Sequence, residues 1–212
     1  MEIRQGGVVS HLLADVAIPR MFRAEQVFPR EHIAPGEIPS VVERELFREP
    51  FRSKIRPGMT VAVTAGSRGI ANVDIITRAV VDFVKARGAA PFIVPAMGSH
   101  GGATAEGQLE VLASYGITPD TMGCEIRSSM EVVELGVSST GMPVYLDKNA
   151  YGADGIILSC RLKPHNAFRG PYESGLMKML AIGLAKQKGA EFCHSRGFKY
   201  MAEMVELFGR GI

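Results

Sequence analysis

The chain has 212 residues, 46% hydrophobic and 22% charged, which is ordinary for one globular domain with or without an appended arm. Its net charge is +2 and its basic residues are scattered, so no nucleic-acid partner is expected. No apolar run approaches the ~20 residues of a membrane span, and the N-terminus lacks the apolar stretch of a signal peptide. Three cysteines without a CxxC pair favour a reduced protein, and we predict a cytoplasmic location.

Residues 1–57 are rich in arginine and proline and show little periodicity, which predicts an irregular N-terminal arm packing on the main domain. From residue 58 onward, apolar runs alternate with helical periodicity. This pattern predicts the main strands at 61–64, 91–95 and 155–162, and the main helices at 70–87, 104–115 and 174–190. Weaker strand candidates are 124–129, 132–137 and 142–147. The alternation indicates an α/β domain over residues 58–212, with a mainly parallel, Rossmann-like sheet and helices on both faces.

Three strand-to-helix loops carry ionisable side chains. Arg68 lies in "TAGSRGI", His100 in "GSHGGAT", and Lys163, His165 and Arg169 in "RLKPHNAFRGPYESG". In a parallel sheet these loops emerge at one edge, where ligands bind, and each runs into a helix N-terminus that suits an anion. A glycine loop or a single loop histidine is routine, but three such loops together predict a site for a small acid with two imidazoles.

The helix predicted at 174–190 contains a lysine in an otherwise apolar turn, Lys178. Apolar surroundings lower the pKa of an amine and favour a nucleophile or an attachment point. Local sequence alone favours the alternative, a lysine whose stem covers the core while its head reaches water. Lys186 and Lys188 are interpreted as surface lysines near the helix end. His194, just past this helix, follows Cys193, and this pair alone is a weak indication of a metal site.

The order and spacing of these residues resemble the lactate racemase family, the nickel-pincer-nucleotide-dependent 2-hydroxy-acid isomerases. The similarity covers roughly residues 58–200. It consists of an arginine in the first loop, a "GSHG"-like loop, the segment "KPHNAFRGPYESGLMK" and a histidine sixteen positions after its lysine.

The resemblance implies a role for each of five residues. Lys178 would hold the nickel pincer nucleotide, a pyridinium mononucleotide, through a thioamide bond, and His194 would be the protein ligand of nickel. His100 and His165 would be the acid–base pair, and Arg68 would bind or orient the substrate. The implied reaction is racemisation or epimerisation of a 2-hydroxy acid, with a hydride passing to and from the cofactor. The implied partners are the substrate and the cofactor-synthesis proteins, so an ordinary expression host is expected to yield protein without cofactor.

The chain also departs from the family. Ala65 and Gly66 stand where the family has an acidic, threonine-rich stretch, and the loop between His165 and Lys178 is a few residues longer. Both departures indicate a divergent member with a substrate other than lactate. The family has a C-terminal domain that closes over the cofactor. We expect that domain to be missing from this chain, which looks truncated and would be inactive alone.

Two other classes of function remain open. One is a zinc-dependent hydrolase in which His100, His165 and His194 bind the metal, which would leave Lys178 without a role. The other is a non-catalytic module that binds an organic acid or a phosphate at the same sheet edge. It would tolerate the loss of His194.

Overall fold

The structure, a computed structural model, describes residues 7–17, 20–28, 31–67 and 69–212. The helices are α1 (Val8–Leu12), α2 (Ile38–Leu46), α3 (Phe51–Lys54), α4 (Val73–Ala86), α5 (Ala105–Ser114), α6 (Pro119–Met122), α7 (Lys148–Tyr151), α8 (Leu176–Lys178), α9 (Lys186–Ser195) and α10 (Met201–Arg210), with a π-helix at Met179–Leu184. The strands are β1 (Thr60–Ala65), β2 (Ala90–Pro95), β3 (Val132–Val137), β4 (Pro143–Asp147) and β5 (Gly155–Ile157). None of the described helices has the length and apolar content needed to cross a membrane.

The chain divides into two compact units, Met1–His32 and Ile33–Ile212. In the first unit, α1 is the helix and the other described residues are irregular. No described side chain of this unit is buried, and large apolar side chains such as Phe22 and Val27 are exposed. In the second unit, α2 packs on α4, where the rings of Phe47 and Phe83 meet edge to face at 5.2 Å. The arm boundary at residue 57 stays a prediction.

The second unit is built on a parallel sheet of three strands in the order β2-β1-β5. Thr60 pairs with Ala90 on one side of β1, and Val61 pairs with Gly155 on the other. The predicted α/β class with a parallel sheet is confirmed. β3 and β4 form a separate antiparallel hairpin. The candidate strand 124–129 contributes a single bridge, from Ile126 to Ile93, and the strand predicted at 155–162 ends at Ile157.

Alternate residues of β1 face opposite sides of the sheet, as the strand period of two requires. Val61 and Val63 are fully buried in the core that α4 covers. Ala62 faces a second core, which contains Leu146 of β4 and Leu184 of the π-helix. Helices therefore cover both faces. A third core, around Met204 and other residues of α10, lies against the π-helix and α9.

The predicted helix 174–190 is interrupted. It consists of α8, the π-helix and α9, and the break lies at Ala185 and Lys186, where Lys186 has a φ of +55°. The interpretation of Lys186 as a surface lysine is wrong, because its side chain has no exposure to solvent and pairs with a buried aspartate. Lys188 is exposed, as expected.

Candidate active site

A cavity of about 450 Å³ lies at the carboxyl ends of the three parallel strands. Its wall includes four of the five predicted site residues, His100, His165, Lys178 and His194. The structure therefore brings together residues from two strand-to-helix loops and from the interrupted helix. Arg68 lies outside the described residues. Its neighbour Ser67 lines the cavity.

His100 sits on a loop that is packed closely against α5. A Cβ added to Gly107 of α5 would lie 2.0 Å from the carbonyl oxygen of Gly101, so only glycine allows this approach. The Nδ1 atom of His100 lies 2.5 Å from the Ser67 hydroxyl. The Tyr115 hydroxyl donates to the Ser67 carbonyl at 2.8 Å and so anchors the β1 loop beside the imidazole. A hydroxyl can donate or accept, so it permits either neutral tautomer of His100.

His165 is half-buried in the long loop that precedes α8. Its backbone N–H donates to Glu173 Oε2 at 2.8 Å, and this bond holds the pKa of the Glu173 carboxyl below its ordinary value. The imidazole stacks on Phe168, with 4.2 Å between ring centroids. Nδ1 accepts from the Ala167 N–H at 3.1 Å, so the neutral ring carries its proton on Nε2. Arg169 donates to the His165 carbonyl and does not line the cavity.

Lys178 ends α8 and is half-buried. Its Nζ lies 5.9 Å from the centroid of the Phe168 ring, and the lysine lines the cavity. Burial raises the pKa of the nearby Cys193 thiol to about 12, although the positive charge of Lys178 opposes that rise. Cys193 is therefore a neutral thiol in the core.

His194 lies near the end of α9, with its ring edge-on to Phe198 at a centroid distance of 6.2 Å. Nδ1 lies 2.5 Å from the carbonyl oxygen of Ala190. A carbonyl only accepts, so Nδ1 carries a proton, and in the neutral ring the lone pair is on Nε2. Histidine ligands of metals are commonly oriented by such a bond from the other ring nitrogen.

A comparison with protein families shows the family of this chain. The model of the lactate racemase N-terminal domain matches residues 7–204. The chain belongs to this family. No curated protein matches the chain.

The cavity of this lactate racemase N-terminal domain fits the cofactor that the family implies. A volume of about 450 Å³ falls within the roughly 300–1,000 Å³ typical of pockets for small ligands and cofactors. It presents an amine at Lys178 and an imidazole lone pair at His194. Within the described ranges, no three His, Cys, Asp or Glu side chains are grouped as ligands of one metal ion.

Several residues around the racemase-family site escaped the sequence analysis. Ser67 and Glu173, which contact His100 and the backbone of His165, lie within loops that the sequence marked as functional. Gln108, Asp147 and Lys186 form a buried polar network beneath the His100 loop. The local sequence does not indicate this network, because Gln108 and Lys186 have the pattern of ordinary helical residues.

Proposed function

We propose that the chain is the cofactor-bearing domain of a racemase or epimerase that acts on a 2-hydroxy acid. The observation that carries the proposal is the convergence of His100, His165, Lys178 and His194 in the wall of one cavity. Membership of the lactate racemase family supports the same reaction class.

In this proposal Lys178 holds the nickel pincer nucleotide and His194 ligates nickel through Nε2. When bound, the cofactor supplies a hydride acceptor and donor for the substrate Cα. The position of Lys178 in the cavity wall supports its role, since an attachment point must be accessible from the cavity. The bond from His194 Nδ1 to Ala190 supports the metal role, since in the neutral ring it makes Nε2 the nitrogen that can bind a metal ion.

The two remaining histidines handle the proton of the substrate hydroxyl. A C–H bond next to a carboxylate is too weak an acid for an imidazole to deprotonate at a useful rate, but the hydroxyl proton must leave as the hydride leaves. His100 is suited to accept it at Nε2, because in the tautomer with the proton on Nδ1 that N–H can donate to the Ser67 hydroxyl. His165 would return a proton from Nε2 as an imidazolium, which requires Nδ1 to take up a proton and release the bond it accepts from the Ala167 N–H. Racemisation requires both, one for each face of the planar 2-oxo acid.

The proposal is tested by the intact mass and the metal content of the chain co-expressed with cofactor-synthesis proteins. We expect a nucleotide-sized mass increase and one nickel per chain, both lost in Lys178→Ala. Lys188→Ala is the matched control, because Lys188 is exposed on α9 and does not line the cavity.

His194→Ala separates attachment from metal binding. It should keep the mass increase and lose nickel, because the lysine remains and the imidazole lone pair is gone. An unmodified mass for the wild-type chain, in a host that loads a known racemase, would overturn the proposal. Zinc analysis and binding of organic acids would then follow.

A further inference from the structure

A buried ammonium lies beneath the His100 loop. The side chains of Lys186 and Asp147 are both fully buried, with 3.1 Å between Nζ and Oδ2. Lys186 Nζ also donates to the Pro95 carbonyl at 2.5 Å and to Gln108 Oε1 at 3.1 Å. The ammonium thus donates two hydrogen bonds and has a carboxylate oxygen as its ionic partner, which offsets part of the cost of a charge inside a core.

Gln108 of α5 connects the ammonium to the His100 loop by hydrogen bonds. Its Nε2 donates to the Gly98 carbonyl at 2.9 Å and to the His100 carbonyl at 3.3 Å. Because Oε1 accepts from Lys186, the amide group must point its two N–H donors at the loop. The orientation of Gln108 is therefore set by the ammonium.

The same lysine stands between the segments that carry Lys178 and His194. Lys186 has the left-handed φ of +55°, which is uncommon for a residue other than glycine and persists where surrounding contacts hold it. The π-helix leads back from it to Lys178, and α9 leads forward to His194. Burial lowers the pKa of Lys186, and the Asp147 carboxylate counteracts this by favouring the charged amine.

We propose that Lys186 and Gln108 are positioning residues that hold His100 in a set place relative to Lys178 and His194. Lys186 lies at the break in the interrupted helix, and its ammonium donates hydrogen bonds to Pro95 at the end of β2 and to Gln108 of α5. The position of His100 follows from these contacts. That this position affects turnover rests on the proposed function.

The test removes the amide of Gln108 while leaving the buried ion pair in place. Gln108→Met keeps a side chain of similar length without donors. We expect hydrogen exchange of the amides at 98–104 to become about tenfold faster, the factor expected for the loss of one net hydrogen bond, with β1 unchanged. Gln187→Met is the matched control, because Gln187 is exposed and its side chain donates to Glu191 on the same helix.

A second measurement follows the imidazole itself. The titration midpoint of the His100 ring, followed by NMR, should move in Gln108→Met, because Nδ1 changes its distance from the Ser67 hydroxyl, whereas that of His11 should not. Loop exchange within twofold of wild type together with an unchanged midpoint would overturn the inference, and so would equal acceleration in β1. Faster loop exchange in a chain that never acquires an adduct on Lys178 would support the positioning role and refute the proposed function.

Discussion

Each histidine of the cavity has one ring nitrogen whose partner determines what the other nitrogen can do. His194 donates from Nδ1 to a carbonyl, which leaves a lone pair on Nε2. His165 accepts an N–H at Nδ1, which puts the proton of the neutral ring on Nε2. His100 has a hydroxyl beside Nδ1, which allows both states. In the proposed function the first of these imidazoles binds the metal ion and the other two carry protons.

Removal of either proton carrier should slow turnover without removing the cofactor. We expect His100→Ala and His165→Ala to lower kcat by about 10²–10⁴-fold, the usual contribution of positioned general acid–base catalysis. The measurement is interconversion of enantiomers or epimers across a panel of 2-hydroxy acids, with adduct mass verified for each variant. His11→Ala in α1 is the control. Turnover near wild type in either variant would contradict the assignment.

The π-helix packs closely against the end of β2 because glycines lie at the contact. The N–H of Gly98 donates to the Gly183 carbonyl at 3.2 Å. A Cβ on Gly183 would lie 2.8 Å from the Ala96 carbonyl oxygen, so a larger residue would push the two segments apart. π-Helical turns often occur at functional sites, and this one directly follows Lys178. The close contact brings the helix of the lysine against the loop of His100.

This contact predicts a specific loss of stability. Gly183→Ala should lower the free energy of unfolding by about 1–3 kcal/mol, because the added methyl group meets the Ala96 backbone, which cannot move aside as the Met179 side chain can. The measurement is urea denaturation. Gly36→Ala is the matched control and should change stability by less than about 0.5 kcal/mol, because a Cβ there meets nothing within 4 Å. Equal effects in the two variants would show that the approach is not tight.

The ion pair of Lys186 and Asp147 lies where the sheet, the hairpin and the interrupted helix meet. Asp147 ends β4, and its Oδ1 accepts from the Ala150 N–H at 2.9 Å, which caps α7. Its Oδ2 contacts the ammonium that also binds the last residue of β2. The pair therefore connects parts of the second unit that are distant in sequence.

Breaking this pair should destabilise the whole unit. Lys186→Met should lower the free energy of unfolding by about 3–5 kcal/mol, because it leaves a buried carboxylate without its partner. Adding Asp147→Leu should recover part of the loss, but not all, since the Pro95 carbonyl and Gln108 still lack a donor. Chemical denaturation of both variants is the measurement.

An exposed ion pair next to the buried one provides the control for this experiment. Lys148 and Glu131 are 2.6 Å apart, with side chains 61% and 68% exposed. Lys148→Met should therefore change stability far less than Lys186→Met, because solvent screens an exposed pair. If Lys186→Met cost no more than Lys148→Met, the buried pair would have no structural role.

Much of the fold and of the candidate site follows from local sequence. The apolar runs at 61–64 and 91–95 and the helices after them are encoded by side-chain periodicity, which acts over a few residues. Parallel strands direct their loops to one edge, so the meeting of His100 and His165 also follows from that pattern. The assignment of Lys178 and His194 to the same site rests on the spacing of these two residues, which matches that of a known family.

The role of Lys186 and the break in the last helix depended on tertiary structure. In "LAKQKG", Lys186 is indistinguishable from an exposed helical lysine, because its partners Pro95, Gln108 and Asp147 lie far away in the chain. Whether a lysine is solvated or buried depends on which oxygens the fold brings to it. The sequence by itself therefore determined the α/β elements and the shared edge of the loops. Only the tertiary structure decided how His100 is held there, because long-range hydrogen bonds and ion pairs leave no local pattern.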